Sequence, residues 1–280
     1  MPCISTPDGV RLCYDTFGDP KAAPLLLIQG LGAHMLGWHP ELCTSIADGG
    51  FHVVRFDNRD VGLSQKFPAG GYRLADMAAD TAGLLNALGI ESAHVVGQSM
   101  GGLIAQELVI RDPARVRSLA LVFTAPNLDF AVGTDLVHGR MALPRARSRG
   151  EAIELYLQNE APCSSPGYPT DLEWQRELGG LMYDRDHDPD GAARQLAAVF
   201  ASPDRTEALS QIAIPTTILH GDSDRLIEPA AGKALNRVVP GSTLTIFPGM
   251  GHELPRALWS DIVALIHENS RRAKPVARHA

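Results

Sequence analysis

A short glycine-flanked turn, Gly97-Gln98-Ser99-Met100-Gly101-Gly102, constrains the fold of this chain more than any other feature of the sequence. An apolar run at 92–96 leads into the turn, and a helical pattern at 103–108 follows it. Glycines on both sides of a serine, between a strand and a helix, indicate a turn so tight that side chains at 97 and 101 would collide. Such a turn strains the backbone of Ser99 and exposes its hydroxyl above the end of the strand.

Apolar runs and helical patterns alternate along the chain, which predicts a mostly parallel sheet with helices on both faces. The predicted strands are 10–17, 24–29, 52–56, 93–96, 116–123, 216–219 and 243–247, and the predicted helices are 74–88, 103–111 and 255–268. The alternation stops between about 126 and 202, where prolines, glycines, charges and helical pieces at 151–158 and 192–200 replace it. We therefore predict a core of 1–125 and 207–270, a helical cap of 126–206 and a flexible tail of 271–280.

Composition excludes several classes of partner. The 280 residues are 45% hydrophobic and carry a formal net charge of −7, so neither nucleic acid nor an anionic membrane surface is expected as a partner. No apolar run is long enough to span a membrane, and the N-terminus does not resemble a signal peptide. The four cysteines are scattered without a CxxC pair, which predicts free thiols and a cytoplasmic protein; a Cys3–Cys13 bridge is possible but has no support in the sequence.

A serine nucleophile needs a base to take its proton and an acid to orient that base. In chains with this turn the order is serine, acid, histidine. His252 follows a predicted strand, after glycines that predict a flexible turn, and we assign it as the base. Asp224, which follows another predicted strand, is assigned as the acid; Asp222 is the rival and is expected to shape its own turn.

Two backbone N–H groups are needed to stabilise the negative oxygen that forms during acyl transfer. The residue after the serine, Met100, is expected to supply one of them. The loop after the strand at 24–29 supplies the other, and Leu31 is the candidate. The glycines of this loop do not form a dinucleotide-binding fingerprint, because the third glycine would stand at Met35.

No cofactor or metal is expected. The segment 186–191 resembles the start of a calcium-binding loop, with aspartates at alternate positions before a glycine. The twelfth position of such a loop requires glutamate, but Ala197 stands there. An acidic, solvated start of a helix is the simpler interpretation.

The chain resembles the α/β-hydrolase superfamily over nearly its whole length. The matching stretches are 29–32, 55–64, 97–102, 220–224 and 248–255. The second and the last resemble the branch of aclacinomycin methylesterase and related actinobacterial carboxylesterases. One departure is Gln29, where the superfamily usually has histidine. The resemblance implies an eight-stranded α/β-hydrolase fold with a helical cap, and structural roles for Asp57 and Arg59.

The resemblance also implies a cofactor-free serine hydrolase that cleaves a small carboxylic ester or lactone. A perhydrolase, a thioesterase, a C–C hydrolase and a small-molecule receptor remain as alternatives, and the sequence leaves a homo-oligomer possible. Apolar and aromatic side chains near the oxyanion loop or in the cap are candidates for a substrate pocket, and they would favour a hydrophobic substrate. They are His34, Trp38, Phe130, Met141, Leu143, Trp174, Met182 and Tyr183.

Overall fold

The computed structural model describes residues 1–141, 145–186 and 190–273, apart from the side chains of 140 and 141. Its centre is one sheet of eight strands in the order β1-β2-β4-β3-β5-β6-β7-β8. The strands are β1 (Cys3–Ser5), β2 (Arg11–Phe17), β3 (Ala23–Ile28), β4 (Phe51–Phe56), β5 (Ala93–Gln98), β6 (Val116–Val122), β7 (Thr216–Gly221) and β8 (Thr243–Phe247). Strands β3 to β8 are parallel, whereas β1 and β2 pair antiparallel at one edge. A mostly parallel sheet was predicted, and this prediction is confirmed.

Ten α-helices lie in the described part of the chain. They are α1 (Pro40–Ala47), α2 (Leu74–Ala87), α3 (Met100–Arg111), α4 (Thr134–Met141), α5 (Arg149–Glu160), α6 (Leu172–Arg185), α7 (Asp190–Phe200), α8 (Thr206–Leu209), α9 (Ala230–Val238) and α10 (Trp259–Arg271). Helices α4 to α8 stand between β6 and β7; α4 to α7 lie in the range predicted for the cap and are called the cap below, whereas α8 begins at its last residue. The cap's bounds, 126 and 206, stay a prediction, and most of the predicted tail lies outside the described residues. Within the described ranges, no helix has the length and apolar character that crossing a membrane requires.

The sheet is buried on both faces, which explains its uninterrupted apolar runs. In β3, Leu26 and Ile28 belong to a core shared with α2 and α3, while Leu25 and Leu27 belong to a second core shared with α1 and α10. All four leucine and isoleucine side chains are fully buried. Because successive side chains of a strand point to opposite faces, a run without polar residues fits only a strand covered on both sides.

Parallel strands bring their carboxyl ends to the same edge of the sheet. The residue after β5 is Ser99, and the loops after β7 and β8 contain Asp224 and His252. The sheet therefore gathers three polar side chains from distant parts of the sequence at one edge. The cap is inserted after β6 and lies against the same edge, since its residue Cys163 accepts a hydrogen bond from the backbone of His252.

The prediction of free thiols at Cys3 and Cys13 is wrong. These residues face each other across the antiparallel pair β1–β2 and form a disulfide. Cross-strand neighbours on one face have Cβ atoms close enough to be bridged. The sequence did not reveal this pairing because β1 is only three residues long and was not predicted. Cys43 and Cys163 keep buried thiols, and burial raises the pKa of Cys43 to about 12.

A buried histidine in β5 is expected to make stability depend on pH. Burial and, to a smaller extent, the charge of Arg117 lower the pKa of His94 from 6.5 to about 4. Between these values the unfolded chain binds a proton that the folded chain does not, so the free energy of unfolding falls as pH falls. We expect His94→Gln to reduce this slope by about 1 kcal/mol per pH unit. Urea unfolding at pH 4.5, 5.5 and 6.5 measures the slope of the free energy of unfolding against pH. Equal slopes in the wild type and in His94→Gln would contradict a lowered pKa of His94.

Candidate active site

The turn between β5 and α3 has the strained geometry that its glycines predict. Ser99 adopts φ 53° and ψ −123°, a backbone conformation that residues other than glycine rarely adopt. A Cβ atom on Gly97 would overlap the carbonyl oxygen of Gly101, and one on Gly101 would overlap that of Ile28. The close approach of these backbones therefore requires glycine at both positions. Thr124 supports the turn by donating a 2.8 Å hydrogen bond to the carbonyl oxygen of Ser99.

Three predicted residues meet at the carboxyl edge of the sheet. The Nε2 atom of His252 lies 2.9 Å from Oγ of Ser99. On the other side of the ring, Nδ1 lies 2.7 Å from Oδ2 of Asp224. Since a carboxylate only accepts, Nδ1 carries a proton and Nε2 is available to accept one from the serine hydroxyl. The arrangement can transfer a proton from the serine to the imidazole while the carboxylate stabilises the resulting positive charge.

The carboxylate of Asp224 is fully enclosed by donors. Its Oδ1 accepts hydrogen bonds from the N–H groups of Leu226 at 2.8 Å and Ile227 at 3.0 Å. Its Oδ2 also lies 3.3 Å from Nε2 of His220. Burial alone would raise the pKa of this carboxyl, but the charge of protonated His252 and the hydrogen bonds to both histidines and to Ile227 hold the pKa well below its ordinary value. The group is thus kept as an anion.

Asp222, the rival acid, has a different environment. Its Oδ1 accepts a 2.7 Å hydrogen bond from the N–H of Gly249 and another from the hydroxyl of Ser223. It therefore ties the loop after β7 to the loop after β8 instead of contacting the imidazole. The structure places Asp224, and not Asp222, beside His252.

The two amides predicted for the oxyanion hole are available. Among the described residues, no acceptor is found for the N–H of Leu31 or of Met100. Their neighbours in the loop differ, because Gly30 donates to its preceding side chain, Gln29, and Gly32 donates to Gln195 of α7. The amide of Met100 is in the first turn of α3, where the helix leaves N–H groups without intrahelical partners.

The turn that carries His252 is hydrogen-bonded to the cap. The N–H of His252 donates to the carbonyl oxygen of Cys163 at 2.9 Å. That of Gly251 donates to Oγ of Ser165 at 2.9 Å. A Cβ atom on Gly251 would overlap the backbone of Ser164. Glycine is needed here because the backbone of the cap packs directly on the histidine turn.

Two adjoining cavities open beside Ser99 and His252. The larger has a volume of about 460 Å³ and a mixed lining, whereas the smaller, about 190 Å³, has a mainly apolar lining. Side chains lining the larger include His39, Tyr156, Asp171, Trp174, Gln175, Leu178, Met182, Glu253, Leu254, Arg256 and Trp259. Those lining the smaller include Leu103, Leu128, Val137, Leu196, Val199, Phe200, Leu226 and Ile227. Phe123 and His252 line both.

Of the predicted pocket residues, Trp174 and Met182 line the larger cavity. The structure does not bring His34, Trp38, Phe130 or Tyr183 to the described lining of either cavity. Trp38 packs in the core with α1. His34 is buried against Arg185, and burial lowers its pKa to about 4. Phe130 and Tyr183 are half-buried beside the cavities. Leu143 and the side chain of Met141 lie outside the described residues.

Several lining residues were not predicted. The ring of Phe123 lies 4.5 Å, between centroids, from the imidazole of His252 and closes one side of the site. His39 stands between Trp174 and Trp259, with centroid distances of 4.2 Å and 4.9 Å. Phe123 was the last residue of a predicted strand, and the carboxyl ends of strands are where such sheets bind ligands. The position of Phe123 at the end of a predicted strand could therefore have indicated that it lines the site.

Residues 23–255 match the model of a protein family described as the alpha/beta hydrolase fold. The chain belongs to this family. The predicted α/β-hydrolase fold is thereby confirmed. Across the residues that the structure describes, no group of three or more histidine, cysteine, aspartate or glutamate side chains could hold a metal ion.

Named relatives within the α/β-hydrolases are similar over almost the whole chain. The chain is 29% identical to rhodomycin D methylesterase DauP of Streptomyces sp. (strain C5), over 96% of this chain and 97% of that protein. It is also 29% identical to rhodomycin D methylesterase DnrP of Streptomyces peucetius, with the same coverage. The fold matches that of esterase RhEst1 from Rhodococcus sp. ECU1013, with a TM-score of 0.78, 23% identity and coverage of 95% and 98%. The two methylesterase names support the prediction of a carboxylic ester hydrolase, and RhEst1 supports the fold.

Proposed function

We propose that this protein hydrolyses a carboxylic ester or lactone of a small, rather hydrophobic molecule through an acyl-enzyme. The observation that carries the proposal is the continuous chain of hydrogen-bond distances from Ser99 through His252 to Asp224. The similar proteins named methylesterase and esterase support the same class of bond.

In the first half of the reaction, Oγ of Ser99 attacks the carbonyl carbon of the ester while Nε2 of His252 takes its proton. The carbonyl oxygen becomes an oxyanion and accepts hydrogen bonds from the N–H groups of Leu31 and Met100. The tetrahedral centre then collapses, the bond to the alkoxy oxygen breaks, and His252 returns the proton to that oxygen. In the second half, water attacks the acyl-enzyme by the same route and releases the acid and the serine.

The two cavities suggest how the ester lies. The leaving oxygen receives its proton from Nε2 of His252, so the alcohol part extends on the histidine side. The larger cavity extends on that side, since Glu253 and Leu254, which follow His252, line it and are not found in the described lining of the smaller one. The smaller, apolar cavity is lined by Ser99, Met100 and Leu103 and receives the acyl part. The substrate class is therefore an ester with an apolar acyl group and a larger alcohol that tolerates polar groups.

A series of p-nitrophenyl esters with acyl chains of two to ten carbons tests this proposal. We expect kcat/KM to rise about threefold to fourfold per methylene, from about 0.8 kcal/mol per buried CH2, until the smaller cavity is full. Leu196→Phe narrows that cavity and is expected to move the optimum to shorter chains. Trp174→Ala, in the larger cavity, is the matched control and is expected to leave the optimum unchanged.

Two outcomes would contradict this proposal, one for the orientation of the ester and one for hydrolysis itself. If Trp174→Ala moves the acyl optimum and Leu196→Phe does not, the orientation of the ester is reversed. If the wild-type protein turns over none of these esters, nor a set of lactones, the proposed hydrolysis is wrong.

A further inference from the structure

A glutamine of the cap is hydrogen-bonded to the loop that carries the candidate oxyanion hole. Gln195, in the middle of α7, is fully buried. Its Oε1 accepts a 2.8 Å hydrogen bond from the N–H of Gly32, and its Nε2 donates a 2.7 Å hydrogen bond to the carbonyl oxygen of Arg59. One side chain of the cap thus joins two loops of the core.

The hydrogen bond from Gly32 to Gln195 restrains Leu31, whose N–H is a candidate donor to the oxyanion. The peptide that contains the N–H of Gly32 also contains the carbonyl of Leu31, so fixing it limits the rotation of Leu31 and the direction of its own N–H. The other hydrogen bonds of this loop are local, because Gly30 donates to the side chain of Gln29 and the N–H of Ala33 reaches the oxygen of Gly30 only at 3.4 Å. The glycines on both sides of Leu31 leave its backbone conformationally free, so the bond from Gly32 to Gln195 is a restraint from outside the loop.

The other end of the connection is anchored in the core. The guanidinium of Arg59 makes two hydrogen bonds, of 2.6 Å and 2.7 Å, to the carboxylate of Asp80 in α2. Both side chains are buried. A planar, two-pronged arginine–carboxylate pair fixes geometry better than a single bond does. Gln195 therefore joins the loop at 30–33 to a backbone segment that the Arg59–Asp80 pair ties to α2.

We propose that Gln195 is a positioning residue for the oxyanion hole, so that the cap sets the direction of the Leu31 N–H as well as enclosing the substrate. This inference rests on the proposed function, because the amide of Leu31 has a catalytic role only if an oxyanion forms at Ser99. It assigns to α7 a contribution to the rate of the chemical step, although its side chains do not touch the reacting atoms.

Another contact of the same helix supplies a control. Arg194, the preceding residue, forms a 2.8 Å ion pair with Asp60 and also ties the cap to the core. The carboxylate of Asp60, which accepts this bond, lies outside the 30–33 loop. If Gln195 served only to attach the cap, loss of either side chain would have similar consequences.

The experiment compares Gln195→Met with Arg194→Met. Methionine keeps the length of glutamine but makes neither hydrogen bond. For Gln195→Met we expect kcat on p-nitrophenyl butyrate to fall about 10- to 100-fold while KM changes less than about threefold, because a displaced donor is lost mainly in the transition state. Arg194→Met is expected to keep kcat within about threefold of the wild type. Thermal unfolding is measured for both variants.

The affinity for a trifluoromethyl ketone is a second measurement, which would not change if Gln195 served only to attach the cap. Its adduct with Ser99 carries an oxyanion, so its affinity for Gln195→Met is expected to fall in proportion to kcat. Titration with a fluorophosphonate counts the folded active sites, and Gln195→Leu replaces the methionine variant if the latter does not fold. Unchanged kcat and ketone affinity in the folded variant, or equal losses in Arg194→Met, would overturn the inference. Absence of hydrolysis by the wild type would instead reject the proposed function.

Discussion

Replacing Ser99 by alanine is expected to abolish ester hydrolysis, with kcat falling by about 10⁴- to 10⁶-fold. The substitution removes only Oγ, which is the atom that lies 2.9 Å from Nε2 of His252. Alanine can occupy the same backbone conformation at the same cost as serine, and the glycines around the turn remain. The loss should therefore appear in the chemical step and not in folding.

Initial rates on p-nitrophenyl butyrate and circular dichroism spectra test this expectation together. A fluorophosphonate should add its mass to the wild-type protein and not to Ser99→Ala. Ser118→Ala is a control for the loss of a serine hydroxyl elsewhere in the core, because Ser118 is buried in β6 against His94, away from the site. Undiminished turnover by Ser99→Ala, or labelling of that variant, would show that another residue is the nucleophile.

The positions of Ser99, Asp224 and His252 were predictable because each depends on local sequence. Each residue follows an apolar run that forms a parallel strand, and parallel strands end at one edge of the sheet. The tight serine turn requires glycine at 97 and 101, since a Cβ atom at either position would overlap the backbone, and these glycines mark the turn in the sequence. The local sequence and the topology of the sheet therefore predict the same positions for these three residues, and this prediction needs no knowledge of the cap.

The cap was less predictable than the core: the helical pieces at 151–158 and 192–200 correspond to α5 and α7, but α4 and α6 were not predicted. Helix α6 lacks a continuous apolar face and buries only Leu178, Gly179 and Gly180. Helices of this kind are held by one another and by contacts with the core, such as the ion pair of Arg185 with Asp57. Periodicity detects a helix that packs on a large core and gives little signal for one that does not.

The pocket could not be assigned from residue type, because aromatic side chains serve both the core and the cavities. Trp38 and Trp174 were equally plausible in the sequence. Trp38 lies before α1 and packs under that helix in the core, whereas Trp174 is on α6 and faces the larger cavity beside His39. The difference comes from where the cap crosses the sheet edge, which depends on contacts between segments far apart in the sequence.

Replacing Asp224 by asparagine is expected to lower kcat about 10³- to 10⁴-fold with little change in KM. The carboxylate accepts a hydrogen bond from the protonated Nδ1 of His252 and so leaves Nε2 free to accept the proton of Ser99. An amide of the same shape can present its NH2 group to Nδ1 instead, which favours the imidazole tautomer that cannot take the serine proton. It also removes the negative charge that stabilises the imidazolium.

Asp222→Asn is the matched control, with the same substitution two residues away in the same loop. Its remaining carbonyl oxygen still accepts the hydrogen bond from the N–H of Gly249, so kcat is expected to stay within about threefold of the wild type. Because the pKa of Asp224 is held below its ordinary value, this group stays ionised from pH 5 to 9, and its titration does not shape the wild-type profile there. The loss in Asp224→Asn should therefore persist across that whole range. A larger loss in Asp222→Asn than in Asp224→Asn would reverse the assignment of the acid.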